Sequence, residues 1–186
     1  MILLIICVAP YLGVCYLGFE HTSRYVFGVG IDMKDFKVIK KLVRDSTFCS
    51  ISTTLENGHP HTSPIGSVFL VSPTEGYFIE MFTTSFKGKT GSKACIMAVK
   101  VSILFWIKSL IMGRFKTSPG IRLYVTMGDQ RKISELEYSR FQKKVKPFKG
   151  FKGHTIMWSK ASYVRPFTID SNKPVSIGLM TRHLER

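Results

Sequence analysis

The hydrophobic period of the sequence changes near residue 47, and this change limits the possible folds more than any other feature. From there apolar side chains alternate with polar ones in short runs separated by turn sequences, in the order FCSISTTLE, ENGHP, HTSPIGSVFLVS, SPTEG and YFIEMF. Alternation over five to ten residues is typical of half-buried strands, and short turns containing Gly, Asn or Pro are typical of hairpins. The sequence therefore predicts three antiparallel strands in succession over residues 47–82.

Later segments extend the same pattern. The run IRLYVTMGDQRKI predicts a strand, and a further strand or strand pair is predicted over residues 154–169. The apolar face expected of the first of these consists of Ile121, Leu123, Val125 and Met127. Pro64 predicts an edge strand or a bulge, because proline cannot donate to a strand ladder. Six to seven short strands joined by hairpins predict a mainly β protein, a closed or split antiparallel barrel with flanking helices, since closure removes exposed strand edges.

Two helices are predicted beside the strands. Asp32 is a suitable N-cap for an amphipathic helix over residues 33–43. Ser134 and Glu137 have the spacing of a capping box, which predicts a helix that ends before Pro147. The inward-facing side chains expected of this second helix are Tyr138, Phe141 and Val145.

The 186 residues fit one domain preceded by an apolar segment. We divide the chain into residues 1–31, the apolar segment and its link, and residues 32–186, the barrel domain. Residues 1–19 carry no charge and would span roughly 28 Å as a helix, so they are a membrane-anchor candidate. The alternatives are an extra strand or an apolar arm packed on the domain or on a second copy of the chain.

The charge balance predicts an anionic partner. Lys and Arg outnumber Asp and Glu by 27 to 12, which favours a phosphorylated cofactor, nucleic acid or anionic lipid. Nucleic acid ranks behind the others, because the cations are spread along the chain and no zinc-finger, leucine-zipper or RNP pattern is present. His and Cys show no metal-ligand spacing, so no metal site is expected. Cys49 and Cys95 have apolar neighbours, which favours free thiols and a reducing, cytoplasmic location, with membrane association through residues 1–19 as the alternative.

The polar connection within residues 81–105, MFTTSFKGKTGSKACIMAVKVSILF, is the candidate site. It is expected to join two strands, the second continuing through Val99, Val101, Ile103 and Phe105. Small hydroxyl groups, ammonium groups and glycine-freed backbone amides are the groups that hold a phosphate monoester. The same composition also suits a solvated basic loop. The candidate phosphate ligands are Thr83, Thr84, Ser85, Lys87, Lys89, Thr90, Ser92 and Lys93.

The order of these features resembles the pyridoxamine 5′-phosphate oxidase-related, FMN-binding split-barrel family over residues 47–169. The likeness rests on SISTTLENGHPHTSPI, FTTSFKGK leading into VSILF, RLYVTMGDQRKIS, and SELEYSRF, in that order. It implies a homodimer with FMN between the subunits. It also implies that hydroxyl and basic residues after the third strand hold the FMN phosphate, while the preceding edge strand meets the isoalloxazine ring through its backbone.

On this resemblance Thr83 matches the hydroxyl that follows the last aromatic residue of the strand, and Lys89 matches the lysine seven residues after that aromatic residue. Lys93 is the alternative phosphate lysine, because a shift of four residues in the match to the family would put it in the place of Lys89. The neighbours expected to contribute are Thr84, Ser85, Lys87 and Thr90.

The strand expected to face the flavin ring comprises Thr62, Ser63, Pro64 and Ile65. The biosynthetic oxidases of the family begin this strand with arginine and end it with lysine, whereas His61 and Gly66 stand here. Synthesis of pyridoxal phosphate is therefore not expected.

The resemblance implies a flavoprotein, with oxidoreductase activity on a small-molecule acceptor as the leading interpretation. Hydride chemistry belongs to the flavin ring, so the sequence singles out no catalytic residue. Two alternatives stay open: a non-catalytic module of the same fold that binds flavin or haem, and a reductase that uses deazaflavin.

Overall fold

The computed structural model describes residues 31–46, 48–80, 89–158 and 161–184. The strands are β1 Cys49–Thr54, β2 Pro60–Ile65, β3 Val68–Leu70, β4 Glu75–Ile79, β5 Lys93–Val99, β6 Gly120–Met127, β7 Arg131–Lys132 and β8 Tyr163–Pro174. The α-helices are α1 Met33–Asp45, α2 Ile103–Ile111, α3 Glu135–Val145 and α4 Lys152–Trp158. Short 3-10 turns cover Lys146–Phe148, Gly178–Met180 and Arg182–Leu184.

The strands form one antiparallel sheet in the order β2-β1-β5-β6-β8-β4-β3, and the two-residue β7 pairs with β8. Seven strands along this path, with helices beside them, form a split β-barrel, which confirms the fold class expected from the sequence. The strand β2 lies at one end of the order and β3 at the other.

The barrel interior holds the main core. The predicted apolar face of β6 is buried throughout, and Leu123 pairs with Ile96 of β5, which in turn pairs with Ile51 of β1. Helix α1 packs Ile39 and Val43 on this core. The predicted helix and its cap are confirmed, since Asp32 Oδ1 accepts a hydrogen bond from the backbone amide of Lys34 at 2.9 Å.

A second apolar cluster joins α3 to β4 and β8. Phe141 and Val145 of α3 are buried against Ile79 and Val164, as predicted. The predicted capping box is also present between Ser134 and Glu137. Tyr138 was wrongly placed inward, because 39% of it is exposed.

The sequence predicted one return strand over residues 61–72. The structure instead has two strands there, β2 and β3, which lie at opposite ends of the sheet order. Ser67 explains the break, because its buried hydroxyl donates to the carbonyl of Ile79 at 3.0 Å and accepts from the amide of Ile79 at 3.2 Å. This contact turns the chain away from β1 and into a hairpin of β3 with β4.

The strand expected to continue from Val99 through Phe105 is also wrong beyond Val99, since β5 ends there and α2 follows. Phe105 and Trp106 both pack on Phe115, with ring centroids 5.5 and 5.3 Å apart. Two consecutive side chains of a strand point to opposite faces, so only a helical turn brings both onto one partner. The expected strand over residues 154–158 is likewise helix α4.

Among the residues that the structure describes, no helix is both long and apolar enough to cross a bilayer. The anchor candidate, residues 1–19, lies outside those residues.

Candidate functional site

A cavity of about 640 Å³ opens beside the end of β2. Its volume falls within the range of about 300–1,000 Å³ that is usual for small-molecule sites. The walls come from the ends of β2 and β4, from the end of α1 and the residues that follow it, from helix α3, and from the segment that carries α4. Apolar side chains on these walls include Ile65, Phe78, Phe141, Phe148, Met157 and Trp158.

The predicted flavin-facing strand forms one wall of this cavity. In the described part of the chain β2 pairs with β1 alone, so the prediction of an edge strand is confirmed. Ser63, Pro64 and Ile65 line the cavity. Thr62 does not line the cavity, and its hydroxyl lies 2.9 Å from that of Ser52 on the paired strand β1. An edge strand leaves one row of backbone donors and acceptors available to a ligand. Contact of residues 62–65 with a flavin ring stays a prediction.

Lys144 contributes a cation to the cavity wall. Its ammonium lies 5.6 Å from the ring centroid of Phe69, and burial lowers the pKa of Lys144 while Cys49 and Asp45 act against that shift. The sequence interpretation missed this residue. Its position three residues after the inward-facing Phe141 places both on one helix face, which is the signal that could have identified it.

The two cysteine thiols that the structure describes, Cys49 and Cys95, are unsuited to nucleophilic chemistry. Cys49 is buried, and burial raises its pKa to about 11 although the charge of Lys144 lowers it. Burial also raises the pKa of Cys95. Both cysteines are free, as predicted. A raised pKa keeps each side chain as a thiol, which is a weaker nucleophile than a thiolate.

Glu80 closes the cavity at the end of β4, and it is almost fully buried. Its carboxylate accepts hydrogen bonds from Arg165 Nε at 3.3 Å and from Gln130 Nε2 at 2.9 Å. Arg165 also donates to the carbonyl of Gly128 at 3.2 Å. The buried negative charge is therefore compensated, and the end of β4 is held to β8 directly before the candidate phosphate connection.

Lys89 lies beside the turn at the start of β2, away from the cavity at the end of that strand. Its ammonium forms an ion pair with Glu56 of the β1–β2 turn, and both side chains are about four-fifths exposed, 77% and 82%. An exposed ion pair of this kind contributes only about 0–1 kcal/mol. Thr90 donates to Asp129 Oδ1 at 2.8 Å.

Lys93, the alternative phosphate lysine, lies on the outer face of the sheet. Its ammonium donates to Thr126 Oγ1 at 2.7 Å and to Asp170 Oδ2 at 3.1 Å. It borders a shallower pocket of about 430 Å³ with Ser52 and Tyr124. The other candidate phosphate ligands Thr83, Thr84, Ser85 and Lys87 lie outside the described residues, so the complete phosphate set stays a prediction.

Comparison with known proteins identifies the fold. No family model matches the chain, and no curated protein matches it. An FMN-binding protein from Syntrophomonas wolfei subsp. wolfei is similar in structure, with a TM-score of 0.54 and 17% identity over 78% of this chain and 89% of that protein. This likeness shows that the chain has the fold of that FMN-binding protein, and it confirms the split barrel expected from the resemblance.

Two further solved structures are similar at lower scores. A candidate pyridoxamine 5′-phosphate oxidase from Lactobacillus delbrueckii has a TM-score of 0.43 and 18% identity over 74% of this chain and 91% of its own. The other is a Clostridium acetobutylicum protein of the pyridoxinephosphate oxidase family, related to general stress protein 26 of B. subtilis. Its TM-score is 0.42, with 15% identity over 79% of this chain and 97% of its own.

Proposed function

Because the chain has the split-barrel fold of an FMN-binding protein, we propose that it binds FMN along β2. The observation that carries the proposal is that one strand joins two suitable features. A ligand-sized cavity lies at its end, beside Ser63, Pro64 and Ile65, and the cation of Lys89 lies beside the turn at its start. FMN has its ring and its phosphate at opposite ends of a five-carbon chain, so a molecule extended along this strand could reach both features.

The cavity residues fit the isoalloxazine ring. The ring has two apolar faces and a polar edge, and the cavity combines apolar walls with the open backbone edge of β2. Ser63 adds a polar group on the cavity side of the strand, where its hydroxyl lies 3.0 Å from His61 Nε2. Ile65, Met157 and Trp158 would pack on the ring, and the β2 backbone would hydrogen-bond to its edge.

The residues near the start of β2 fit the phosphate. Lys89 can exchange its exposed pairing with Glu56 for a phosphate dianion at little cost, because the existing pair is weak. Thr90 would add a hydroxyl donor. Thr83, Thr84, Ser85 and Lys87 are the remaining ligands that the proposal assigns to the phosphate. The hydrogen bonds of such groups to a phosphate are charge-assisted and stronger than neutral ones.

The proposed activity is oxidoreduction of a small molecule, with a reduced nicotinamide as a suitable donor. Bound FMN would supply the hydride chemistry, and the protein would supply orientation and exclusion of water. Lys144 would place a positive charge near the ring, where charge tunes flavin electronics. The proposal includes a homodimer in which the cofactor lies between two copies of the chain.

The absorption spectrum of the purified full-length chain tests the cofactor. A two-banded flavin spectrum, or quenching of added FMN fluorescence on titration, is the expected result. A chain that binds no FMN would end the proposal, and a Soret band or a single deazaflavin band would assign the cofactor to an alternative. Oxidation of a reduced nicotinamide with an added acceptor then separates an enzyme from a binding module, and light scattering measures the oligomeric state.

A matched pair of variants tests the assigned phosphate end. Lys89→Ala is expected to weaken FMN binding about tenfold or more, because one charge-assisted hydrogen bond contributes roughly 1.5–3 kcal/mol. Lys37→Ala removes an exposed lysine from α1 and serves as the control for the change in net charge. Equal effects of the two substitutions would show that Lys89 acts only through the overall charge of the protein.

A further inference from the structure

Helix α2 presents aliphatic side chains to solvent while it buries a serine. Ser109 is buried, whereas Leu104 and Ile111 are 80% and 81% exposed. The α2 patch consists of Ile103, Leu104, Ile107, Leu110, Ile111 and Met112, all of them exposed. Contiguous exposed apolar side chains of this kind mark an interaction site, since scattered single residues are the norm on a protein surface.

The orientation of α2 is set by firm packing on its other face. Phe105 and Trp106 contact Phe115, which is fully buried. The indole Nε1 of Trp106 donates to the carbonyl of Lys100 at 2.8 Å, and the hydroxyl of Ser109 donates to the carbonyl of Phe105 at 2.8 Å. The ring contacts with Phe115 and the hydrogen bond of Trp106 to Lys100 hold the patch outward, so the exposure of its aliphatic side chains follows from the packing of the helix.

The surroundings of the patch are cationic. Residues 99–128 contain five Lys or Arg and no Asp or Glu. Lys108 lies within the helix, and Arg114 and Lys116 follow it, all three exposed. An apolar helix face with basic neighbours is the arrangement that binds an anionic lipid surface, through burial of the apolar side chains and attraction between opposite charges.

We propose that the α2 patch docks on an anionic lipid surface, with the helix lying in the plane of the headgroups. The nine residues of α2 span about 13.5 Å, less than half of the roughly 30 Å hydrocarbon core, so the helix would lie in the interface. A second copy of the chain fits less well, because its cations would meet identical cations. Residues 1–19 also fit less well, because they carry no charge to complement the basic rim.

Vesicle sedimentation of the full chain tests the proposal. Vesicles of phosphatidylcholine alone are compared with vesicles that contain about 30% phosphatidylserine, at low and high salt. Leu104→Gln/Ile111→Gln is expected to lower the partition coefficient about tenfold or more. The control is Leu136→Gln/Ile156→Gln, two side chains outside the patch that are 63% and 80% exposed. This control is expected to bind like the unmodified chain.

A second pair of variants tests the charges. Lys108→Gln/Arg114→Gln is expected to lower binding to phosphatidylserine vesicles about thirtyfold, because each of the two basic residues near the surface contributes about 1 kcal/mol. Lys37→Gln/Lys41→Gln on α1 makes the same change in net charge and is expected to have a clearly smaller effect. Circular dichroism melts establish that all four variants are folded.

The proposal is overturned if the Leu104/Ile111 variant binds vesicles like the unmodified chain, since the contact would then lie elsewhere, residues 1–19 included. It is also overturned if that variant changes the molecular mass measured by light scattering while vesicle binding is unchanged, because the patch would then be covered by a second copy. The test requires no FMN, so its result is separate from that of the proposed cofactor.

Discussion

The carboxylate of Glu80 at the end of β4 is paired with the guanidinium of Arg165 in β8, with 3.3 Å between Arg165 Nε and Glu80 Oε2. Both side chains are largely buried, and Gln130 and the Gly128 carbonyl complete the hydrogen bonds. The two residues are 85 positions apart in the chain, and their contact holds the end of β4 to β8, directly before the predicted phosphate connection.

Removal of one partner of this pair is expected to destabilise the fold strongly. Glu80→Leu leaves Arg165 as a buried charge without its carboxylate, and a change of this type costs about 3–5 kcal/mol in the free energy of unfolding. Urea denaturation measures it. The double variant Glu80→Leu/Arg165→Met is expected to lose less than the sum of the single variants, and additive losses would show that the two charges are not coupled.

The two candidate phosphate lysines are expected to behave differently. Lys93→Ala removes hydrogen bonds to Thr126 and Asp170, so it is expected to lower the free energy of unfolding by about 0.5–1.5 kcal/mol and to leave FMN affinity unchanged. Lys89→Ala is expected to weaken FMN binding and to leave the free energy of unfolding nearly unchanged. Parallel urea and FMN titrations measure both quantities, and loss of FMN binding in the Lys93 variant would assign the phosphate to the shifted register.

Stability is expected to fall as the pH drops from about 4.5 to about 2. Arg131 donates two hydrogen bonds to Glu137, and Ser134 adds another, so the pKa of Glu137 falls from its usual 4.5 to about 2. A carboxyl with a lowered pKa contributes stability above its unfolded pKa and loses it as the pH falls through its folded pKa. Because Arg131 is half-exposed, the expected contribution is about 1–2 kcal/mol.

Thermal melts of Glu137→Gln across this pH range check the assignment. The variant is expected to be less stable near neutral pH and to show a shallower dependence on pH below 4.5. Glu135→Gln, an exposed carboxyl in the same helical turn, is the control. A pH dependence that is the same in the Glu137 variant and the unmodified chain would remove Glu137 as its source.

Lys144→Met is expected to lower the reduction potential of bound flavin. A positive charge beside the ring favours the electron-rich form, so its loss is expected to shift the potential by on the order of 30 mV, or about 1.4 kcal/mol for two electrons. Lys143→Met on the exposed side of the same helix is the control. Dye-linked potentiometry measures the shift, and equal potentials in the two variants would place Lys144 away from the ring.

Gly76 is expected to tolerate no side chain. A Cβ at this position would lie 2.8 Å from the carbonyl oxygen of Phe69 and would also overlap the ring of Phe167. Overpacking of this kind costs about 1–3 kcal/mol. Gly153→Ala is the control, since a Cβ there meets nothing within 4 Å. Thermal melts are expected to show a lower melting temperature for Gly76→Ala alone.

Local patterns were sufficient for several elements. Alternation along β6 predicted its buried face, because successive side chains of any strand point to opposite sides. The Ser134 and Glu137 spacing predicted the start of α3, because both caps act within one helical turn. Pro64 identified β2 as an edge strand, since the missing amide is a property of proline itself. A barrel, closed or split, and the edge strand that borders the cavity could therefore be predicted from these patterns.

Long-range contacts decided the rest. The apolar run through Phe105 and Trp106 suits a strand or a helix equally well, and packing on Phe115 selects the helix. The break between β2 and β3 depends on Ser67 meeting Ile79, and the compensation of Glu80 depends on Arg165. The strand period and the helix caps could be read from the sequence, because they depend only on neighbours within a few residues. The cavity, its buried charges and the outward face of α2 could not be predicted in this way, because they depend on partners that only the folded sheet and helices bring together.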